Sequence, residues 1–255
     1  MRRYKAIVSY DGFAYGGWQR QLNTHSIQQE IETAIEKVEG SFLSITASGR
    51  TDAQVHAIGQ VFHFDSQKDI ACENWRRALN ALLPKDIRIQ KVEVVSEDFH
   101  ARFSAISKRY DYLVTHEVNN PFYQRYMGKE RKKLDIEAMR EGAAFLLGTH
   151  DFTSFTSSKI DPRKSKIKTI TRLDIVEEPF GVRMIFEGNG FLRYMVRMLA
   201  QTLIEAGKHR ITPKEIDHML TSRDKHVCRY KAQAEGLYLV RVDYETYTTN
   251  QDVSQ

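Results

Sequence analysis

Hydrophobic and polar residues alternate along several short stretches of the chain, and a period of two predicts β-strands. In other stretches apolar residues recur every three or four positions, which predicts helices with one buried face. The predicted strands cover residues 3–10, 43–47, 60–64, 87–95, 109–118, 169–176, 182–187 and 237–244. The predicted helices begin at residue 27, cover 73–83, 135–147 and 191–206, and begin again at residue 213.

The order of these elements predicts the fold class. The first hundred residues follow a β-α-β-β-α-β order, and a similar cycle follows it. Ser26 and Thr212 each stand three positions before Gln or Glu, as in a helix-capping box. We therefore predict an α+β protein with lobes at residues 1–106 and 107–247, and a frayed tail at 248–255.

The composition is that of a folded protein. The chain has 255 residues, with 38 Lys or Arg, 33 Asp or Glu, and a formal net charge of +5. No stretch approaches the ~18 apolar residues of a membrane span, so we expect no membrane partner. Cys72 and Cys228 lie far apart, which argues against a zinc ribbon and suits the reducing cytoplasm. The small positive surplus allows a nucleic-acid partner without showing one.

One loop combines a carboxylate with a cation. Residues 48–57 lie between two predicted strands, where a rigid frame presents a loop. Arg50 and Asp52 are two positions apart and would point the same way in an extended segment. Such a pair would lower the pKa of Asp52, and an ionised carboxylate in a pocket can act as a nucleophile. The alternative is a β-turn in which Asp52 makes a local hydrogen bond and Arg50 is solvated.

Metal binding is a second interpretation of this region. Asp52, His56, His63 and Asp65 offer nitrogen and oxygen ligands. However, His56 follows a loop rather than a helix, and the last two residues lie one strand further along the chain. We expect no metal site, and a metal-dependent nuclease built on Asp52, His56 and His63 is the alternative, which chelators would inactivate.

Basic and aromatic residues interleave over residues 99–112, a pattern that suits an RNA backbone with bases stacked on rings. Tyr110 and Tyr112 share one face of the predicted strand, so a half-buried strand is the alternative. Arg193 and Arg197 lie on one ridge of the last long predicted helix, where a solvated polar face is the alternative.

A basic stretch also indicates RNA contact. Residues 159–172 contain six Lys or Arg but only one acidic residue, Asp161. The chain has no G-x-x-x-x-G-K-[ST], G-x-G-x-x-G or G-x-S-x-G motif, so nucleotide hydrolysis, dinucleotide redox and α/β-hydrolase chemistry lack their usual marks. We therefore expect no cofactor.

Five segments resemble, in the same order, the tRNA pseudouridine synthase A family, and they span nearly the whole chain. They are Gly-Arg-Thr-Asp-Ala-x-Val-His-Ala at 49–57, Arg-Phe-Ser-Ala with Lys-Arg-Tyr-x-Tyr at 102–112, Gly-Thr-His-Asp-Phe with a further Phe at 148–155, Gly-Phe-Leu to Met-Val-Arg at 190–197, and Gly-Leu-Tyr-Leu at 236–239. The resemblance implies two pseudo-symmetric lobes of the RRM or ferredoxin-like type, with a central antiparallel sheet, helices on one face and a basic cleft.

The resemblance also implies a function. The family converts uridine to pseudouridine at positions 38, 39 and 40 of the tRNA anticodon stem-loop, as a homodimer without a cofactor. Asp52 is then the catalytic carboxylate, which could attack C1′, add to C6 of the base or take a sugar proton. Arg197 pairs with Asp52, Arg50 helps to hold the flipped nucleotide, and Tyr110 stacks on the target base.

Three sites depart from the family pattern. Gln54 stands where Gly is usual, Gln201 stands in a common Gly-Thr-Leu run, and residues 232–235 lack the Ala-Pro that often precedes the final Gly-Leu. If position 54 needs a positive φ, Gln adds about 1–2 kcal/mol of strain beside the catalytic residue. This departure supports an alternative of another class, a catalytically weakened RNA-binding or RNA-folding member of the family.

Overall fold

The computed structural model describes residues 1–157, 163 and 165–245. In this part of the chain, ten strands form one sheet and five α-helices accompany it. The strands are β1 (Arg2–Tyr10), β2 (Thr46–Ala47), β3 (His56–Ser66), β4 (Ile87–Val95), β5 (Ala105–Thr115), β6 (Gly128–Lys129), β7 (Gly148–Asp151), β8 (Ile167–Glu178), β9 (Gly181–Gly188) and β10 (Leu237–Tyr244). The helices are α1 (Ile27–Glu39), α2 (Cys72–Leu82), α3 (Ile136–Ala144), α4 (Met195–Gly207) and α5 (Pro213–Ser222).

The same strand order occurs twice in the sheet. Its main path is β4-β1-β3-β10-β5-β9-β8-β7, with β2 beside β3 and β6 beside β5. Within β1 to β4 the spatial order is fourth, first, third, second strand, and β5, β8, β9 and β10 repeat that order. Neighbouring strands are antiparallel except at β3–β10, where the two halves meet, and at β5–β6. The predicted α+β class with two ferredoxin-like lobes and a mostly antiparallel sheet is confirmed.

Large aromatic side chains fill the space between the sheet and the helices. Tyr4 of β1 stacks on Phe64 of β3 at a centroid distance of 5.4 Å, and Trp75 of α2 meets Phe64 edge-on at 5.1 Å. All of α4 is buried except for Arg197 and Gln201, which are partly exposed. Because burying one large apolar side chain contributes about 1.5–3 kcal/mol, this core holds the loops at the sheet in fixed positions.

The structure changes the predicted start of α4. The helix predicted over 191–206 begins at Met195, because Tyr194 has a φ of 67° and a ψ of −3°, which no α-helix includes. By contrast, β4 and β10 have the predicted bounds. Asp135 caps α3 as expected, since its side chain accepts two backbone N–H groups.

Two predicted strands near the acidic loop also have different bounds. The strand predicted over 43–47 is reduced to β2, whereas β3 extends the strand predicted over 60–64 in both directions. The two short strands β6 and β7 carry no pattern long enough to predict. The tail predicted at 248–255 lies outside the described residues. None of the helices that the structure describes has the length and apolar character needed to cross a membrane.

Candidate active site

The loop that carries Asp52 connects β2 to β3 and rests on the segment that follows β1. Trp18 donates its backbone N–H to the carbonyl of Thr51 at 3.1 Å. Gly17 permits this approach, since its φ is +101° and a Cβ there would lie 2.7 Å from the Thr51 carbonyl oxygen. A glycine is therefore required where the two segments touch.

Side-chain hydrogen bonds hold this loop at its start and at Thr51, the residue before Asp52. The Ser48 hydroxyl donates to Oε1 of Gln60 at 2.7 Å, and Nε2 of Gln60 donates to the Gly49 carbonyl at 2.9 Å. The hydroxyls of Thr51 and Tyr10 lie 2.8 Å apart in the buried interior. The carboxylate is thus presented by a loop whose flanking residues are tied to β1 and β3.

Asp52 forms an ion pair with Arg197. Nη1 of Arg197 lies 3.4 Å from Oδ2 of Asp52, and the two side chains are 12% and 26% exposed. The guanidinium is also fixed from behind, because Nε donates to the carbonyl of Ala232 at 2.8 Å, and the N–H of Ala232 donates to the carbonyl of Arg197 at 2.9 Å. Arg197 therefore faces Asp52 with little freedom to turn away.

Burial raises the pKa of the Asp52 carboxyl, although nearby cations oppose this effect. The largest opposing contribution comes from Arg197, followed by Arg193 and Lys231. The prediction of a lowered pKa was therefore wrong, because the loss of water around the carboxylate outweighs the attraction of its neighbours. The cations still limit the rise.

Arg50 does not make the predicted pair with Asp52. Within the described residues, the cation in an ion pair with Asp52 is Arg197, and Arg50 is exposed. The predicted alignment fails because the loop is not an extended strand at this point. The exposed Arg50 guanidinium is accessible to an incoming ligand.

Tyr110 lies in the sheet beneath the loop. It is 9% exposed, sits on β5 between Leu239 of β10 and Phe186 of β9, and its ring meets that of Phe191 edge-on at 5.3 Å. Burial raises its pKa, and the charge of Asp52 adds to this effect, so the phenol is neutral near pH 7. A neutral phenol beside a carboxylate offers a flat surface and a proton to a bound base.

The family profile for tRNA pseudouridine synthase matches residues 6–104 and 143–245. The chain belongs to this family of isomerases. A tRNA pseudouridine synthase A of Oceanobacillus iheyensis is 43% identical over 252 residues, which cover 98% of this chain and 100% of the relative. That of Listeria monocytogenes serotype 4b is 47% identical over 249 residues, covering 96% and 100%. That of Bacillus pumilus is 44% identical over 246 residues, covering 95% and 99%.

One solved structure is a more distant match. One chain of a crystallised Cbf5-Nop10-Gar1 complex superposes with a TM-score of 0.42 at 10% identity, covering 92% of this chain and 48% of that chain. The family membership predicted from the five sequence segments is confirmed by the profile and the relatives.

At the position where the pseudouridine synthase family usually has glycine, Gln54 adopts a φ of 66°. This is the left-handed conformation that glycine accepts without strain and other residues do not. Position 54 therefore has the positive φ at which Gln was expected to add strain. A side chain is held in a strained conformation two positions from Asp52.

His56, the nearest candidate metal ligand, uses both ring nitrogens for the fold. Nδ1 accepts the backbone N–H of Gly12 at 3.1 Å, and Nε2 donates to the carbonyl of Arg125 at 2.9 Å. Oδ1 of Asp11 also lies 3.1 Å from Nδ1, which would favour a charged ring. We assign the neutral ring, because burial lowers the pKa of His56 and Nδ1 is already an acceptor.

The other two candidate ligands have structural partners as well. Nδ1 of His63 accepts the N–H of Ala101 at 3.1 Å, and the oxygens of Asp65 accept from Nε and Nη2 of Arg3 at 2.7 and 2.8 Å. No group of three or more His, Cys, Asp or Glu in the described ranges forms a metal cluster. The structure therefore does not support the nuclease hypothesis, which required Asp52, His56 and His63 to bind a metal together.

The predicted basic surface is divided between two faces of the sheet. Arg172 pairs with Asp174 at 2.6 Å and Glu187 at 3.5 Å. Glu187 lies opposite Arg109, the neighbour of Tyr110, so this cluster points away from the Asp52 face. Arg172 therefore lies away from the cations that surround Asp52, and the predicted RNA contact of this stretch stays a prediction. Three charged residues of the same stretch lie outside the described residues: Lys159, Asp161 and Lys164.

Two cations near Asp52, Arg193 and Lys231, had no functional role assigned from the sequence. Arg193 precedes α4 instead of sharing a helical ridge with Arg197, and both gather with Lys231 around the ring of Tyr194. No pattern in the sequence connects Lys231 to this group. Its position follows only from the folded chain.

Lys108 is a further cation of this region. Its Nζ donates to the carbonyl of Ser48, at the start of the Asp52 loop, at 2.6 Å. Burial, with smaller contributions from Arg102 and Lys168, lowers the pKa of Lys108 to about 8. The Lys-Arg-Tyr motif contained this residue, but its spacing alone assigned no role to it.

Proposed function

We propose that this chain isomerises uridine to pseudouridine in tRNA, at positions 38, 39 and 40 of the anticodon stem-loop. The observation that carries the proposal is the partly buried Asp52 carboxylate, paired with Arg197 and lying near the buried Tyr110. The relatives with 43–47% identity bear the name tRNA pseudouridine synthase A, which supports the same reaction here.

The reaction breaks one bond and forms one bond at the same ribose carbon. The C1′–N1 bond breaks, the base turns, and a C1′–C5 bond forms. C5 loses its proton and N1 gains one, so atoms and electrons balance without an oxidant or an energy source. Whether Asp52 attacks C1′, adds to C6 or takes a sugar proton, it acts through a carboxylate lone pair. All three routes therefore require the ionised form of Asp52.

The other three predicted site residues have complementary roles in this proposal. Arg197 holds Asp52 in position and favours its ionised form. Tyr110 stacks on the target base and assists proton transfer at C5. The exposed Arg50 holds the flipped nucleotide, which must leave its stack at a cost of a few kcal/mol.

Positive charge around the site supports an RNA substrate. The exposed side chains of Arg193 and Lys231 lie close enough to Asp52 to affect its pKa. Just before β5, Phe103 is 75% exposed and its ring lies 5.5 Å from the guanidinium of Arg102. Cations beside an exposed ring suit phosphates and an unpaired base.

We further propose that the protein acts in the cytoplasm, and that it is a homodimer, as the family resemblance implies. Cys72 and Cys228 are both free thiols, which fits a reducing compartment. Light scattering is expected to give twice the 29.6 kDa mass of one chain. A mass of one chain at working concentrations would contradict the dimer.

Position-specific tRNA transcripts test the proposed function. Unmodified transcripts carry uridine at only one of positions 38, 39 and 40, and a control transcript carries none at these three. Mapping is expected to find pseudouridine at each single uridine and none in the control. Product elsewhere would overturn the assigned positions. Tight binding without product in any tRNA, with folding verified, would instead favour the weakened RNA-binding alternative.

A further inference from the structure

Tyr194 stands at the turn before α4 in a backbone conformation that tyrosine rarely adopts. Its φ of 67° and ψ of −3° lie in the left-handed region, where the Cβ of an L-residue crowds its own backbone. A strained residue persists only where its surroundings require it, and such residues concentrate at functional sites. The left-handed conformation of Tyr194 therefore indicates a constraint from its surroundings.

Hydrogen bonds on both sides of Tyr194 hold this turn. The carbonyl of Arg193 accepts from the N–H of Ser157 at 3.1 Å and from the hydroxyl of Thr156 at 3.3 Å. The carbonyl of Tyr194 accepts from the N–H of Met198 at 2.9 Å, as an opening bond of α4. The side chain of Tyr194 thus leaves the backbone in a fixed direction.

Three cations surround the Tyr194 ring. Nζ of Lys231 lies 4.7 Å from the ring centroid, and the guanidinium carbons of Arg193 and Arg197 lie at 4.8 and 5.7 Å. The Tyr194 hydroxyl also accepts a hydrogen bond from Nη2 of Arg193 at 3.0 Å. Cations this close repel each other, and the electron-rich ring offsets part of that repulsion.

Arg197 connects this cluster to Asp52. Its Nη1 lies 3.4 Å from Oδ2 of Asp52, its Nε donates to Ala232, and its guanidinium carbon lies beside the ring of Tyr194. The same three cations that gather at the ring are those that oppose the effect of burial on Asp52.

We propose that Tyr194 is a positioning residue, whose ring holds Arg197, Arg193 and Lys231 where they stabilise the ionised carboxylate of Asp52. Its importance for turnover rests on the proposed function, whereas its effect on the charge of Asp52 does not. The competing explanation is that Tyr194 only shapes the start of α4, in which case the aromatic ring is dispensable.

Substitutions at one position separate the ring from the backbone turn. Tyr194→Phe keeps the ring and loses the hydroxyl, and Tyr194→Leu removes the ring while leaving a side chain with the same backbone strain. Tyr194→Asn removes the ring and tolerates the left-handed conformation, so it carries the test if the Leu variant does not fold. Tyr123→Leu is the matched control, because Tyr123 is half-buried and its ring faces Phe180 at 6.4 Å.

Two measurements are made on each variant: kcat and KM for pseudouridine formation against pH, and the NMR titration of the Asp52 carboxyl carbon. The Leu and Asn variants are expected to lose roughly 10-fold or more in kcat, with KM within about 3-fold of wild type. In these two variants, the midpoint of the acidic limb of the kcat–pH profile and the midpoint of the Asp52 NMR titration should each rise by on the order of one pH unit. Tyr194→Phe and the control should match wild type within about 3-fold.

Unfolding midpoints complete the test. Tyr194→Asn is expected to unfold at or above the wild-type temperature and still show the kinetic loss. An unchanged Asp52 titration in the Leu and Asn variants overturns the proposal, and so does an effect confined to KM, which would mean that Tyr194 contacts the RNA. If the wild type makes no pseudouridine, the proposed function fails, and the NMR titration alone decides the positioning role.

Discussion

Asp52 and Arg197 lie 145 positions apart in the chain, and their side chains meet at 3.4 Å across the boundary between the Asp52 loop and α4. The first comes from a loop ahead of β3, and the second from a helix packed on β5. The pair thus joins the two repeats of the fold through a partly buried carboxylate and a cation. Its geometry allows direct tests.

Replacing Arg197 by Lys is expected to lower kcat by roughly 10–100-fold. Lysine keeps the charge but loses the Nε bond to Ala232, so the cation is no longer aimed at Asp52. Single-turnover assays on unmodified tRNA measure the loss. Arg172→Lys, on the opposite face of the sheet, is the control and should retain activity. Equal activity of both variants would show that the fixed guanidinium is not needed.

The pH dependence of kcat is expected to have an acidic limb above the ordinary aspartate range near ~3.9, because burial raises the pKa of Asp52 and the reaction uses the ionised form. Rates measured from pH 4 to 8 with saturating tRNA give the midpoint of this acidic limb. A rate that stays level down to pH 4 would contradict the raised pKa or the role of the carboxylate.

The same shift makes a prediction for stability. Since the folded protein holds the Asp52 proton more tightly than the unfolded chain, this group stabilises the fold fully below its unfolded pKa of ~3.9. That contribution is lost as the pH rises through the higher folded pKa. Asp52→Asn is therefore expected to be at least as stable as wild type at pH 7, with the difference vanishing near pH 4. Urea unfolding at pH 4 and pH 7 measures this difference in stability. An Asp52→Asn variant that is clearly less stable than wild type at pH 7 would contradict the raised pKa of Asp52.

Replacing Gln54 by Gly is expected to stabilise the fold by about 0.5–1 kcal/mol, since relief of the left-handed strain exceeds the added freedom of the unfolded chain. Ala53→Gly is the matched control, because Ala53 does not have a positive φ, and it should destabilise by about 0.4–1 kcal/mol. Thermal unfolding compares the two. A loss of stability in Gln54→Gly would mean that the Gln54 side chain makes a contribution larger than the strain.

Two glycines with positive φ separate backbone strain from contact with the Asp52 loop. Gly17→Ala places a Cβ 2.7 Å from the Thr51 carbonyl, whereas Gly40→Ala meets nothing within 4 Å. Gly40→Ala should cost about 1–2 kcal/mol of stability and leave activity unchanged. Gly17→Ala should cost more and also lower kcat, because the loop must shift. Equal activity in the two variants would show that the position of the loop is not critical.

The sequence predicted the parts of the fold that depend on local pattern. The pattern of apolar and polar residues predicted the bounds of β4 and β10, and a capping residue predicted the start of α3. The predicted start of α4 was four residues too early, because the run of apolar residues contains no signal for the left-handed conformation of Tyr194. Periodicity indicates which side chains are buried, but it carries no information about the φ angle of a single residue.

The candidate site was predictable only in part. The Asp52 loop stands out by its position between strands, but spacing suggested Arg50 as its partner, and the structure places Arg197 there. That pairing came from the family resemblance, since local sequence cannot bring together residues from distant elements. The division of the chain at residue 106 and the chemical roles of the four site residues stay predictions.

The most direct test compares wild type with Asp52→Asn on unmodified tRNA, with pseudouridine measured by mass spectrometry and binding measured in parallel. The account predicts that wild type forms pseudouridine in the anticodon stem-loop and that the variant binds the same tRNA but loses at least roughly 10³-fold in rate. Pseudouridine formed by Asp52→Asn at the wild-type rate would contradict the central claim that this carboxylate performs the isomerisation.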